Sequence, residues 1–592
     1  MSSERYDVLI IGGGLAGLTL ARQLLLGSDK RILLVDRRSL PPRRQKVGEA
    51  TVQVSAYYLS RVLELEEHLL RRHFVKYNLR FFWRGGEDGS RYEGYSQSYI
   101  RTLSNIMTYQ LDRNALEAEL LRVNRENPRF TFHAPISGLD IELGEGELPH
   151  AFRFRTGGEE GRGREEVAGA AEWMIDTSGR GKVLAKRLGL ADKGVIRHGT
   201  AYAWVEGLVD VEKLTDLSAR EIRLRPDRAA VGHLPAFLAT NHFCGEGYWF
   251  WVIPLHGRTS LGLVYDSSRV SSREVATPEK LIEWVCERFP LFARDLPRRR
   301  VVDHGGFTDF SYDCKLTFSP GRWALCGEAG RFSDPLYSPG GDLIAIHNTL
   351  VTDLVVSGLL GERLAAKTAL YEQLARAVYE AYVPSYALSY DTLGDQEAFS
   401  LRYTWELTVY FAFYVFPFIN DLFTVEGFAA GFLRRFARLG RINHGLHALL
   451  QGYYRWKKER RSEAGAAAAL EPARVAAVAG STPTLFDFTE IGHLKQAEAC
   501  FYRVGVGREE GLRQLDRQLV NLDELARFIA AQVSWGVTGD ARAWSHDFVS
   551  GIDPRRLRFD PREMAARLAA CAAAGPAFAW SVAVPVPGRL CP

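Results

Sequence analysis

Cysteine is scarce and scattered. Seven residues (244, 286, 314, 326, 500, 571 and 591) are spread over 592 positions with no Cys-x-x-Cys pair. That spacing excludes a zinc ribbon or a disulfide framework and suits a reducing compartment. A surplus of charge of one sign is also missing. The net charge of +4 is too small to mark a nucleic-acid surface, so no nucleic-acid partner is expected. The uncharged run Leu407 to Ile419, LTVYFAFYVFPFI, is too short to cross a membrane and is interrupted by Pro417. No repeat recurs along the chain. An apolar strand pattern already starts near residue 6, which leaves no room for a leader peptide and makes a cytoplasmic location the expectation.

What remains is ordinary for a globular protein, with 46% hydrophobic and 25% charged residues. The length exceeds what one compact core holds, so two or three subdomains are expected.

The most informative stretch is Tyr6 to Gly17, YDVLIIGGGLAG. A β-branched run leads into Gly12-x-Gly14-x-x-Gly17, a helical pattern follows, and a second apolar run, Ile32 to Val35, ends at Asp36. This is the strand, turn, helix, strand and acid of a dinucleotide fold. Gly12 permits the tight turn, Gly14 lets backbone N–H groups approach a pyrophosphate, and Gly17 lets helix and strand pack closely. The helix N-terminus favours the phosphates, and Asp36 can accept hydrogen bonds from a ribose.

Three later segments narrow the choice of dinucleotide. Tyr109-Gln110-Leu111-Asp112-Arg113 opens a helical pattern. Trp173 to Arg180 is a strand end passing Asp176 into a small-residue turn. Trp323 to Gly330 is a strand end carrying Gly327 and Glu328, and it continues to Asp334-Pro335. Taken singly, each is a strand followed by a turn. In this order they resemble the flavin-contacting segments of the large FAD-dependent monooxygenase fold, with Glu328 where that family usually has Asp. The resemblance implies FAD. Only one GxGxxG is convincing, so no second, NAD(P)H-binding domain is built in.

A more specific resemblance rests on Gly247 to Pro254, GYWFWVIP, which contains W-x-W-x-I-P intact. Trp249 and Trp251 are two apart and share one face of a strand. Lys46-Val47-Gly48-Glu49-Ala50-Thr51 forms a second match, and Lys76 lies downstream within the largely apolar FVKYNLRFFW. These residues are similar to the signatures of the flavin-dependent halogenases. In that family the tryptophans keep substrate from the activated flavin, and a lysine held in an apolar tunnel handles electrophilic halogen. The resemblance covers roughly residues 5 to 350. It implies catalytic roles for Lys76, Trp249 and Trp251, and cofactor contacts at Gly48, Glu49, Arg113, Asp176, Gly327, Glu328, Pro335 and Gly340, beside Gly12, Gly14, Gly17 and Asp36. No metal is expected, because the scattered cysteines offer no ligand pair. Bland readings exist for the same residues: a core strand with two aromatics, and a snorkelling surface lysine.

One departure bears on halide. The family's loop supplies backbone N–H donors after its Asp-Pro, whereas this chain reads Asp334-Pro335-Leu336-Tyr337-Ser338-Pro339-Gly340-Gly341-Asp342. Pro339 has no N–H, and Asp342 adds negative charge.

The expected class is α/β: a Rossmann-type FAD-binding domain with an antiparallel-sheet substrate region and a helical C-terminal extension. The expected boundaries are 1–390 for the flavin domain, with its substrate sheet at about 196–310, then 391–462 for a hydrophobic and basic helical region, 463–484 for a linker, and 485–592 for a mainly helical end. The expected function is halogenation by reduced FAD, O2 and halide of a hydrophobic, electron-rich small molecule, with a flavin reductase supplying FADH2. A monooxygenase or oxidase without halogenation is one alternative, and a non-catalytic lipid carrier on a flavin fold is another. The aromatic run before the basic stretch Arg434 to Arg461 suggests a substrate presented by a carrier protein or a membrane surface.

Overall fold

The structure is a computed structural model that describes residues 4–39, 44–86, 88–100, 103–157, 165–225, 235–464, 485–487 and 500–571. Two eight-stranded sheets organise it. In the first, the strand Glu4–Ile11 lies between Ile32–Val35 and Glu165–Asp176 and is parallel to both. Phe130–His133 and Trp323–Leu325 extend the parallel array on either side. The strand Glu4–Ile11 is apolar through Val8, Leu9, Ile10 and Ile11 because both faces of the sheet are covered.

The second sheet runs Val301–Phe307, His198–Glu206, Arg258–Asp266, Tyr248–Leu255, Thr240–Gly245, Leu79–Arg84, Tyr95–Tyr99, Leu485–Asp487. It reaches beyond the expected 196–310. Leu79–Arg84 joins it parallel to Thr240–Gly245, and Leu485–Asp487 joins parallel to Tyr95–Tyr99. The sheet is therefore mixed, and residues 485–487 form a strand. Its two faces meet different cores: Phe82 packs with Phe243, Phe250 and Phe292 on one side, while Phe81, Trp83, Trp249 and Trp251 face the other.

That second core continues without a break from Val8 to Leu568. The boundary expected at 390 therefore does not separate two cores, and it cuts a short 3-10 turn, Tyr390–Gly394. The helix Gln396–Tyr410 lays Phe399 and Tyr403 against Phe81, with ring centroids 4.6 and 5.1 Å away. The aromatic run 407–419 is core. Phe413 packs on Phe432 and Phe436, Phe411 on Phe501, and Phe418 on Tyr57 and Tyr58. A π turn, Phe411–Val415, precedes Pro417, which sits in the first turn of Phe416–Ile419, where its missing N–H is tolerated.

The helices Phe428–Ala464 and Arg508–Thr538 pack together beyond it. The linker at 463–484 lies outside the described residues except for the last two residues of the first of these helices, and the end beyond 571 is also outside.

Candidate active site

The glycine turn is shaped for a dinucleotide. Gly12 donates its N–H to the Val35 carbonyl at 2.8 Å and adopts φ +115°, and a Cβ there would lie 2.6 Å from the Thr177 carbonyl oxygen. A Cβ on Gly17 would lie 2.0 Å from the Gly12 carbonyl. Gly14 is the opposite case: it is extended, and a Cβ would find nothing within 4 Å. The helix Leu15–Gly27 starts immediately after it with no side-chain cap, so its first N–H groups are left for a ligand. Asp36 accepts from the N–H of Gly13 and of Arg38, both at 2.7 Å, which closes the turn and leaves lone pairs for a ribose. Across the cleft Glu328 is exposed between buried Gly327 and Ala329, within the fields of Arg113, Arg180 and Lys182. An open cradle, an uncapped helix end and an exposed carboxylate at the far strand fit FAD.

Three expected cofactor residues do other work. Asp176, fully buried, accepts from the N–H groups of Ser178 (2.9 Å) and Leu184 (2.7 Å) and shapes the turn. Arg113 braces the Gly48 turn, donating to the Val47 carbonyl at 2.9 Å and to Glu117 at 2.7 Å. Gly48 has φ +91°, and a side chain there would meet that guanidinium at 2.7 Å. Glu49 turns into the second sheet. It accepts from Trp204 Nε1 at 2.5 Å and from Ser260 Oγ at 2.6 Å, and burial pushes its carboxyl up to about 7.

The Glu49 tie explains how the tryptophans are held. Ser260 Oγ also accepts from Trp251 Nε1 at 3.1 Å, so Glu49, Ser260 and Trp251 form one chain. Trp249 Nε1 donates to Tyr390 Oη at 2.9 Å, and that hydroxyl donates to Asp334 at 3.2 Å. His198 Nδ1 reaches the same Asp334 oxygen at 2.6 Å and stacks on Tyr390. Both indoles are thus pinned at their only polar atom, with centroids 5.8 Å apart. Gly262 on the neighbouring strand makes room for one of them, since a Cβ there would sit 2.1 Å from Trp251.

Lys76 ends the strand Phe74–Lys76, which pairs with Thr108–Gln110. It does not snorkel: it is 2% exposed, and its ammonium donates to the Thr51 carbonyl at 2.6 Å. Burial draws its pKa down to about 7. Its field reaches His242, which is buried, stacked on Phe81 at 4.7 Å and 5.2 Å from Trp249. Imidazole and indoles therefore share one face of the second sheet, and Lys76, on its own two-stranded ribbon, is buried near enough for its charge to act on the imidazole.

The loop after Asp334-Pro335 completes the cluster. Ser338 donates its N–H to the Pro335 carbonyl at 2.8 Å, and Tyr337 and Ser338 are both left-handed (φ 66° and 60°). The buried guanidinium of Arg402 holds the Tyr337 hydroxyl at 3.1 Å. Pro339 occupies the first position of the helix Pro339–Leu359, the helical position where a missing N–H is best tolerated. Gly340 and Gly341 follow in the open first turn, and Gly341 must be glycine because a Cβ would lie 2.8 Å from Ser55. Asp342, 1% exposed, accepts from the Ser55 N–H and from the Tyr410 hydroxyl, both at 2.8 Å. Its charge is already engaged within the protein.

Sequence reasoning missed His198, His242, Ser260, Tyr390, Arg402 and Tyr410. Asp334 stood in a motif, but its partners are isolated residues on other elements with no local signal.

No protein-family model matches the chain. Among curated proteins it is 25% identical over 462 residues to the flavin-dependent halogenase chlA of Dictyostelium discoideum, covering 72% of this chain and 74% of that one. It is 25% identical over 364 residues to the 1H-pyrrole-2-carbonyl-(peptidyl-carrier protein) chlorinase of Pseudomonas fluorescens, covering 57% and 73%. Among solved structures, halogenase PltM superposes with a TM-score of 0.58 over 89% of this chain and 96% of that one, at 16% identity, a likeness of fold. The alignments to the curated proteins carry the likeness further than fold: over more than half its length the chain is similar in sequence to flavin-dependent halogenases.

Proposed function

We propose that the protein places a halogen on an electron-rich carbon of a hydrophobic substrate, using reduced FAD supplied by a flavin reductase, O2 and halide. The observation that carries this reading is the row of buried His242, Trp249 and Trp251 on the inner face of the sheet, tied through Tyr390 to the Asp334-Pro335 loop, with Lys76 buried on the neighbouring two-stranded ribbon. Bound FAD supplies the reductive activation of O2 that converts halide to hypohalous acid. The chain does the rest. Gly12 to Gly17 seat the pyrophosphate. The pinned indoles exclude water and keep a bulky substrate at a distance. Lys76 hydrogen-bonds the hypohalous species and aims it at carbon. The comparisons support this reading over an oxygenase without halogenation and over a lipid carrier.

The test is turnover with a flavin reductase, O2 and bromide, with monochlorodimedone or a phenol as acceptor. Product that forms equally without halide would overturn the proposal.

A substrate tethered to a carrier protein is favoured over a free one by two observations. One relative is named for a carrier-bound substrate. Arg434, Arg438 and Arg441 are exposed along the helix Phe428–Ala464, at a spacing that suits an acidic partner. Lys457 is not part of that surface, because it is buried between Asp395 and Glu397 at 2.8 and 2.9 Å. Reversing the three arginines to Glu should raise KM for a carrier-bound substrate in a salt-dependent way and leave a free phenol unaffected. An equal effect on both substrates would discard the carrier. A cytoplasmic location is part of the proposal, supported by the six described cysteines, all of which are free thiols.

A further inference from the structure

We infer that Asp342 is the counter-charge of Lys76, that it holds the lysine as an ammonium, and that Tyr410 tunes the pair. The inference rests on the reading of Lys76 above only for its effect on turnover.

Lys76 and Asp342 come from distant parts of the chain and bind the two ends of one short segment, Thr51 to Ser55, without forming a direct ion pair. Lys76 bonds the carbonyl at one end of it, Thr51, and Asp342 bonds the N–H at the other, Ser55. The Thr51 carbonyl carries no charge, so it cannot neutralise a buried ammonium. The carboxylate whose field acts on Lys76 is Asp342, and the cation whose field acts on Asp342 is Lys76.

Every other titratable group facing the pair, among the described residues, is held neutral by burial. His242, from the strand Thr240–Gly245, is pushed down to about 3. Tyr410, from Gln396–Tyr410, Tyr414, from the π turn, and Tyr382 are phenols pushed above their usual range. Burial raises Asp342 itself to about 6, against the hydrogen bonds from Ser55 and Tyr410 that favour its ionised form. The two groups therefore titrate close together near neutrality, and each depends on the other for its charge.

Asp342 does not need to touch substrate for this. It is a positioning residue acting through Lys76. An ammonium donates hydrogen bonds to an oxygen of a hypohalous species, whereas a free amine would compete with the substrate for the halogen. The residue that stood in the sequence as an obstacle to halide thus supports the lysine.

The experiment is a side-chain NMR titration of protein labelled at lysine Cε, with Lys76→Met identifying the Lys76 signal. In Asp342→Asn the Lys76 midpoint should fall by about one unit, which lowers the ammonium fraction at pH 7 roughly fivefold. Tyr410→Phe should move it the same way by less, because Asp342 loses a hydrogen bond that favours its ionised form. The high-pH limb of halogenation should shift by the same amounts. A Lys76 midpoint unmoved in Tyr410→Phe and in whatever Asp342→Asn folds would overturn the inference. Failure of the halogenase reading would look different: no halide-dependent product, with the NMR shift intact.

Discussion

Lys76 should be a residue that the fold would be more stable without. Its pKa is drawn from 10.5 down to about 7 by burial. A lysine with a lowered folded-state pKa binds fewer protons folded than unfolded, so its penalty is complete below about pH 7 and fades as pH rises toward the unfolded value. At about 1.4 kcal/mol per unit, the penalty reaches roughly 5 kcal/mol at or below neutrality. Replacing Lys76 with Met keeps the length and apolar stem and removes the charge, but it leaves the Thr51 carbonyl without its donor, a loss of about 1–3 kcal/mol. Asp342 also loses its counter-charge, which costs about 1 kcal/mol more, so the expected balance at pH 7 is a gain of about 1–3 kcal/mol for Lys76→Met. By pH 10.5 the charge penalty is nearly gone and only the lost hydrogen bond remains, so the order should reverse. The assay is urea unfolding of the FAD-free proteins followed by tryptophan fluorescence at a series of pH values, comparing midpoints within each pH. The same variant, loaded with FAD, should still oxidise reduced flavin while yielding no halogenated product. A variant less stable than wild type at pH 7, or a difference that ignores pH, would refute the reasoning and mean that the site hydrates Lys76 more than its burial implies.

Gly14→Val should weaken FAD binding at least tenfold by fluorescence quenching and leave the FAD-free unfolding midpoint unchanged, because the position is extended and its Cβ direction is open; unchanged affinity would move the pyrophosphate elsewhere. Gly262→Ala should press on Trp251, cost about 1–3 kcal/mol of stability and lower kcat/KM for halogenation with flavin affinity intact; a silent variant would show that the indole can relax. Pro339→Ser should lower the halide KM several-fold by adding a donor to the open first turn of the helix Pro339–Leu359; no change would place the halide outside that turn.

The parts of this protein written in its sequence are those whose physics is local. The turn at Gly12 to Gly17 is decided within one strand, one helix and the next strand, so its spacing carries its geometry. The pairing of Trp249 and Trp251 on one face follows from the two-residue period of any strand. What closes the site is not local. Trp251 is held by Ser260 and Glu49, Trp249 by Tyr390 and Asp334, and Lys76 is balanced by Asp342 and Tyr410. A hydrogen bond or a buried charge acts over a few ångströms, and only the folded chain decides which residues are that close. The same limit explains why the aromatic run 407–419 suggested a presented substrate and why Lys457, within the basic stretch, resembled a surface cation. Residue type states what a side chain can do, and burial and neighbours, set by the tertiary structure, decide which of those things it does.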